Sequence, residues 1–309
     1  MKLEPSTQLK LFGHHNLFNQ LVKLESDNRL PNKILLSGQK GIGKSTLAYH
    51  LINFILSKDE DYKYDFKNNE INIKNKSYRL LLNKSNPNFY LVDVTNDKKI
   101  IDISQIRDLI SNLNKSSFNT KKRFVLIDNI ELLNTNSVNA LLKFLEEPNA
   151  NINFILINNH KNVFDTLKSR CLDFNMTLTY QESLNIINNL INEDVFDLVN
   201  HELIDNYITP GKLLKFVHIS HEQNIDIKSM NLEIFLSTVI KNKLYKKEKL
   251  FIGYIYSFME LYFRNKVSIR NINFYYLYNH FLKKVFDTKN YNLDEESLFI
   301  EFEEKVLHG

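Results

Sequence analysis

The run Gly38-Gln-Lys-Gly-Ile-Gly43-Lys44-Ser45 matches the phosphate-binding loop pattern G-x4-G-K-[ST]. Its glycines, Gly38, Gly41 and Gly43, let backbone N–H groups turn inward around phosphate oxygens, where a Cβ would obstruct the approach. A helix starting at Lys44 aims its positive end at the same place. Lys44 then reaches the β- and γ-phosphates and Ser45 supplies a Mg2+ ligand, so the cofactors implied are ATP and Mg. Such a site also needs a carboxylate on a neighbouring strand. Phe124-Val-Leu-Ile-Asp128 offers one, making Ser45 and Asp128 the expected metal ligands. The next residue is Asn129, where many hydrolysing P-loop proteins place a Glu. An amide cannot accept a proton, and losing a general base costs ~10²–10⁴ in rate. The residues therefore predict nucleotide binding with slow turnover.

These groups need a scaffold, and the hydrophobic pattern supplies one. Short apolar runs at 33–37 (KILLS), 88–94 (NFYLVDV), 123–128 (RFVLID), 152–158 (INFILIN) and 172–176 read as strands. Between them, 44–56, 104–113 and 135–147 have helical spacing, the last ended by Pro148. Strands joined through helices require right-handed crossovers, which predicts an α/β fold with a doubly wound parallel sheet. Beyond about residue 179 the strand signal fades. Segments 181–191, 210–220, 232–243, 250–264 and 274–286 all carry helical periodicity. Residues 59–85 are polar, rich in Asn and Lys and without sustained periodicity, which predicts a surface insertion.

Composition bounds the function. The chain has 309 residues, 43% hydrophobic and 25% charged, which excludes collagen-like and wholly disordered classes and leaves room for two or three domains. No apolar stretch nears the roughly 18 residues of a membrane span, and residues 1–20 lack a signal-peptide design. One Cys forbids an internal disulfide and a Cys-rich zinc site. The expectation is a cytoplasmic protein with no membrane partner. A net charge of +4 is too small for a dedicated nucleic-acid coat, although Lys121-Lys122-Arg123 and the lysines between 241 and 249 form local clusters. Cys171 reads as a small core residue, and the His residues show no metal-ligand spacing.

Further motifs carry a resemblance. Asn139-Ala-Leu-Leu-Lys-Phe-Leu-Glu-Glu-Pro148 resembles the signature helix of the bacterial clamp-loader ATPases, members of the AAA+ family. Ser169-Arg170-Cys171 resembles their arginine-finger motif, and residues 29–38 are similar to their approach to the phosphate loop. The matches run in family order over roughly 12–178. The resemblance implies an AAA+ P-loop sheet domain at 1–178, a small helical lid at 179–220 and an all-α collar for oligomerisation at 221–309. It implies that Arg170 acts in trans, stabilising charge on the phosphoryl group of a neighbour's ATP, which suits a planar, permanently charged side chain. Asn158, ending its strand, is the candidate γ-phosphate sensor, with Asn159 close behind. Glu146 and Glu147 stand at a helix C-terminus, where the dipole disfavours them, so either a basic surface or solvent must stabilise them.

Within the family, four departures favour the delta-prime branch over gamma/tau. The usual four-Cys module is replaced by 59–85, and Asn129 replaces the catalytic Glu. Gly211 in Thr209-Pro-Gly-Lys212 falls where gamma/tau has a sensing Arg, and the chain stops after one collar. The implied partners are clamp-loader subunits gamma/tau and delta, the sliding clamp and, through the complex, primed DNA. A gamma/tau-like ATPase, another AAA+ DNA motor and a nucleoside monophosphate kinase stay open as alternatives. In the collar, Tyr254, Phe258, Leu261 and Tyr262 fall on one stripe that either packs inward or forms an interface.

Overall fold

Five parallel strands form one sheet in the order β2-β3-β4-β1-β5. They are β1 (Lys33–Gly38), β2 (Phe89–Val92), β3 (Arg123–Ile127), β4 (Ile152–Asn158) and β5 (Leu172–Met176). The computed structural model describes residues 4–94, 100–115, 119–146, 151–160, 162–266 and 272–308. Glu147 and Pro148, which close the expected helix, lie outside the described residues. The chain divides into two units, Met1–Asn189 with Thr209–Lys212, and Leu190–Ile208 with Leu213–Gly309.

In the first unit, strand alternation feeds two cores. Ile34 and Leu36 of β1, Phe124 and Leu126 of β3, and Ile155 and Ile157 of β4 pack with α1 (His15–Ser26) and α2 (Lys44–Leu56). Leu35, Val125, Ile127, Phe154 and Leu156 pack on the other face against α4 (Ile103–Asn114) and α5 (Thr135–Glu146). A period of two thus explains why these runs read as apolar throughout: both faces are covered. Each such Leu or Phe stabilises by ~1.5–3 kcal/mol relative to exposure. A capping box, Asp102 with Gln105, starts α4. The short α6 (Asp165–Lys168) leads into β5.

The expectation for 59–85 needs correction. The segment contains α3 (Lys76–Leu82), whose N-cap Asn75 accepts from the Tyr78 N–H. Tyr64, Ile71, Tyr78 and Leu81 are buried in the same core as Phe18 and Leu47. Tyr64 Oη lies 2.8 Å from His50 Nδ1, and its ring packs at 5.5 Å on Phe18. Tyr64, Ile71 and Tyr78 anchor the segment seven residues apart, but the backbone runs through turns until α3 begins, so the residues between them sustain no helical pattern. β2 is also shorter than its apolar run, spanning Phe89–Val92.

The second half is helical. α7 (Tyr180–Ile191), α8 (Val195–Leu198) and α9 (Pro210–Glu222) precede α10 (Leu232–Lys241), α11 (Leu244–Lys247), α12 (Leu250–Lys266), α13 (Ile272–Tyr291) and α14 (Glu295–Phe302). α10 stops two residues before the pattern suggests, because Lys243 turns left-handed at φ 50°. The core of the second unit is aromatic. Phe216, Phe235 and Phe258 meet edge to face at 5.3–5.4 Å. Phe258, Leu261 and Tyr262 are buried and Tyr254 packs on Phe216, so the α12 stripe faces inward. Exposed aromatics occur instead on α13, at Tyr275, Tyr276 and Phe286. No helix among the described residues is long and apolar enough to cross a membrane.

Candidate nucleotide site and arginine finger

The phosphate loop lies where the sequence places it, between β1 and α2 at the C-terminal edge of the sheet. Gly41 and Gly43 have φ of 91° and 97°, in the left-handed region that a side chain strains. Lys44 is 3% exposed, and its Nζ donates to the Gly38 carbonyl at 2.8 Å and the Gln39 carbonyl at 2.6 Å. Burial pushes its pKa down to about 8, against the pull of Asp128 and Glu131. A buried ammonium held by carbonyls, with no carboxylate in hydrogen-bond contact among the described residues, fits an anionic ligand, whose charge would offset the desolvation.

Ser45 Oγ donates to Asp128 Oδ2 at 2.6 Å, and the Asn129 N–H donates to Asp128 Oδ1 at 2.8 Å. Burial raises the Asp128 carboxyl above its ordinary range, partly offset by the Ser45 hydrogen bond. A hydroxyl and a carboxylate in contact beside a loop lysine are hard oxygen donors suited to Mg2+. The donor set therefore fits a magnesium nucleotide.

Asn129 is the hub of a network that sequence reasoning missed. It adopts a left-handed φ of 57°. Its Nδ2 donates to Asp93 Oδ1 at 2.8 Å, while its Oδ1 accepts from Asn159 Nδ2 at 2.8 Å. Asn159 Nδ2 also donates to Glu131 Oε1 at 3.0 Å. Asn159 thus joins the residue after Asp128, whereas Asn158 is buried and registers with Ser37 of β1 beside the loop. Position alone could have flagged Asp93, which directly follows β2; nothing in local sequence marked Glu131.

Thr209 and Gly211 close over the loop backbone. Thr209 Oγ1 donates to the Lys40 carbonyl at 2.8 Å, and the Gly211 N–H donates to the Gly41 carbonyl at 2.8 Å. A Cβ on Gly211 would stand 2.9 Å from Gly41 Cα. Only glycine permits this backbone contact.

Arg170 is elsewhere. It precedes β5, at the N-terminal edge of the sheet, whereas Gly38 registers with Met176 at the far end of that strand. A five-residue strand spans roughly 17 Å, so Arg170 is remote from Lys44. Its Nη1 donates to the Thr166 carbonyl at 2.8 Å and its Nη2 to Glu146 Oε1 at 2.5 Å. Glu146 is thereby stabilised within its own chain. Cys171 packs beside the α4–α5 core, and burial pushes its thiol up to about 11, away from nucleophilic use.

Residues 13–179, more than half of the chain, match the family described as DNA polymerase III, delta subunit. The chain belongs to this family. It is similar to a DNA polymerase III subunit delta' of Buchnera aphidicola subsp. Baizongia pistaciae, 28% identical over 52% of this chain and 48% of that protein. It is also similar to a DNA polymerase III subunit gamma of Buchnera aphidicola subsp. Schizaphis graminum, 24% identical over 75% of this chain and 62% of that protein. The chain thus spans about half to three-fifths of these relatives' lengths. A gamma subunit-related protein of DNA polymerase III from Thermotoga maritima shares the fold, with a TM-score of 0.50 at 14% identity over 91% of this chain and 96% of that one. The delta-prime-like resemblance and the AAA+ fold class read from the motifs stand.

Proposed function

We propose that this clamp-loader family member works as a delta-prime-like assembly subunit, which binds a magnesium nucleotide in its own loop and serves a neighbour's site with Arg170. One observation carries the reading. The nucleotide donors Lys44, Ser45 and Asp128 converge at one edge of the sheet, while Arg170 stands at the other. Gly38, Gly41, Gly43 and Lys44 would hold the phosphates, Ser45 and Asp128 the Mg2+, and Asn158 would contact the γ-phosphate. When bound, ATP supplies a phosphoryl group under load from Mg2+ and Lys44. This chain has no carboxylate at 129 to activate water, and Asn129 is engaged by Asp93 and Asn159, so its own turnover is slow.

In this reading residues 1–178 bind nucleotide, 179–220 form the lid and 221–309 the collar that joins gamma/tau and delta. The exposed aromatics of α13 suit such an interface. The complex would act in the cytoplasm, placing the sliding clamp on primed DNA. The intact phosphate loop favours one second reading, a gamma/tau-like ATPase. Purified protein separates the two: binding of a fluorescent ATP analogue, lost in Lys44→Ala, with little hydrolysis supports delta-prime. Hydrolysis at the several-per-second rates ordinary for enzymes supports gamma/tau.

A further inference from the structure

The carbonyls of the phosphate loop are tied down one after another. Lys44 Nζ donates to those of Gly38 and Gln39, Thr209 Oγ1 to that of Lys40, and the Gly211 N–H to that of Gly41. The next carbonyl in the series, that of Ile42, accepts from His14 Nε2 at 2.8 Å, across 28 residues of chain. A carbonyl can only accept, so Nε2 carries the proton. Burial holds the imidazole pKa below its ordinary value, against the pull of the Ile42 carbonyl and Glu182. The ring is therefore neutral at pH 7, with Nε2–H as its one donor.

The backbone is bent to place this ring. His14 caps α1 in the left-handed region at φ 53°, directly after Gly13 at φ 78°. That conformation disfavours a residue with a Cβ, yet His14 holds it and turns its ring onto the loop. Its Cδ2 stands 4.0 Å from where a Cβ on Gly43 would be, whereas the next residue, His15, is exposed. The Ile42 C=O and the Gly43 N–H are opposite ends of one trans peptide plane. A carbonyl fixed toward His14 therefore turns that N–H to the other side. Gly41 and Gly43 flank the step, and the wide φ range of glycine would otherwise let the peptide rotate.

We propose that His14 is a positioning residue for nucleotide binding, its hydrogen bond to Ile42 presenting the Gly43 N–H to a phosphate oxygen before the ligand arrives. The proposal rests on the reading of residues 38–45 as a nucleotide loop. His14 acts through the loop backbone, and a donor already in place costs no ordering when the ligand binds.

The test compares two substitutions in the full-length chain. His14→Asn tolerates the left-handed backbone but is too short to reach Ile42, whereas His14→Gln puts an amide N–H near the place of Nε2. With a fluorescent ATP analogue and Mg2+, affinity should fall about fivefold to tenfold in His14→Asn, the size of one net hydrogen bond. His14→Gln should stay within about twofold of wild type. A spectroscopic readout separates positioning from folding. Ile42-Gly43 and Ile252-Gly253 are the two Ile–Gly steps in the chain, so ¹³C-carbonyl Ile with ¹⁵N Gly isolates their two amide signals. At saturating ADP and Mg2+ the Gly43 amide proton should move downfield in wild type and His14→Gln, and less than half as far in His14→Asn. Gly253, on α12, serves as the internal reference. Should His14→Asn fail to fold, His14→Gly, which suits φ 53° without a side chain, gives the same reading. Binding lost in Lys44→Ala but kept in His14→Asn, with a full Gly43 shift, overturns this proposal alone. No binding by wild type, or equal binding by Lys44→Ala, overturns the nucleotide reading beneath it.

Discussion

Arg170 Nη2 lies 2.5 Å from Glu146 Oε1, so the side chain proposed to serve a neighbour's ATP is held within its own chain by the end of α5. The guanidinium is 34% exposed and the carboxylate 54%. Ion pairs this open contribute ~0–1 kcal/mol, enough to fix a rotamer and too little to lock it. A phosphoryl group carrying several negative charges could displace Glu146 readily.

Arg170→Ala should therefore fold, bind nucleotide through its own loop and enter a complex with gamma/tau and delta. DNA-stimulated ATP hydrolysis by the reconstituted complex should fall at least tenfold. That is below the ~10³–10⁵ of a dominant arginine finger because several sites share the work. Glu146→Ala should leave turnover within about twofold of wild type, since it removes only the internal partner. Arg170→Lys should not recover the loss, because an ammonium lacks the guanidinium fork. Steady-state ATPase normalised to complex formed checks all three. Unchanged turnover in Arg170→Ala would make Arg170 a structural residue.

Gly211→Ala tests the contact between Thr209–Lys212 and the loop. Its Cβ would stand 2.9 Å from Gly41 Cα and 3.0 Å from the Gly41 carbonyl oxygen, both backbone atoms that cannot swing aside. The variant should stay folded, because the clash is confined to one loop, yet lose nucleotide affinity at least tenfold. Gly211→Arg should do no better. A sensing arginine cannot simply be restored where the backbone itself makes the contact. Titration with a fluorescent ATP analogue reads both, and wild-type affinity in Gly211→Ala would show the contact to be dispensable.

His50 supplies a pH dependence. It is fully buried between Tyr64 Oη and the Gln8 carbonyl, and burial pushes its pKa down to about 4. The unfolded chain holds this imidazole near 6.5, so between the two values the unfolded state binds more protons. The neutral imidazole's contribution is complete above pH 6.5 and is lost as pH falls towards 4. From pH 7 to pH 5 the loss is roughly 2 kcal/mol. His50→Gln should be less stable at pH 7 yet show a flatter fall in Tm between pH 7 and 5. Parallel slopes would remove His50 as a source of acid sensitivity.

The loop motif, the strand ending in Asp128, the parallel α/β pattern and the helical second half were all legible in the chain itself. They are local or periodic: a P-loop is eight consecutive residues, and a buried strand announces itself by continuous apolar character. The mismatch at Asn129 was legible too, as a missing carboxylate. The partners of that amide were not, because Asp93, Asn129 and Asn159 meet only when β2, β3 and β4 lie side by side. Segment 59–85 misled for the same reason. Tyr64, Ile71 and Tyr78 recur every seven residues but no helix joins the first two, and their burial is decided by the core that α1 and α2 present to them. The basic run at 121–123 looked like one charged patch. Strand alternation and the crossover helices split it, pairing Lys122 with Glu25 and burying Arg123 on the opposite face. Sequence fixes which groups exist and their local conformation; which groups share an environment depends on contacts between residues distant along the chain, and those only the tertiary structure decides.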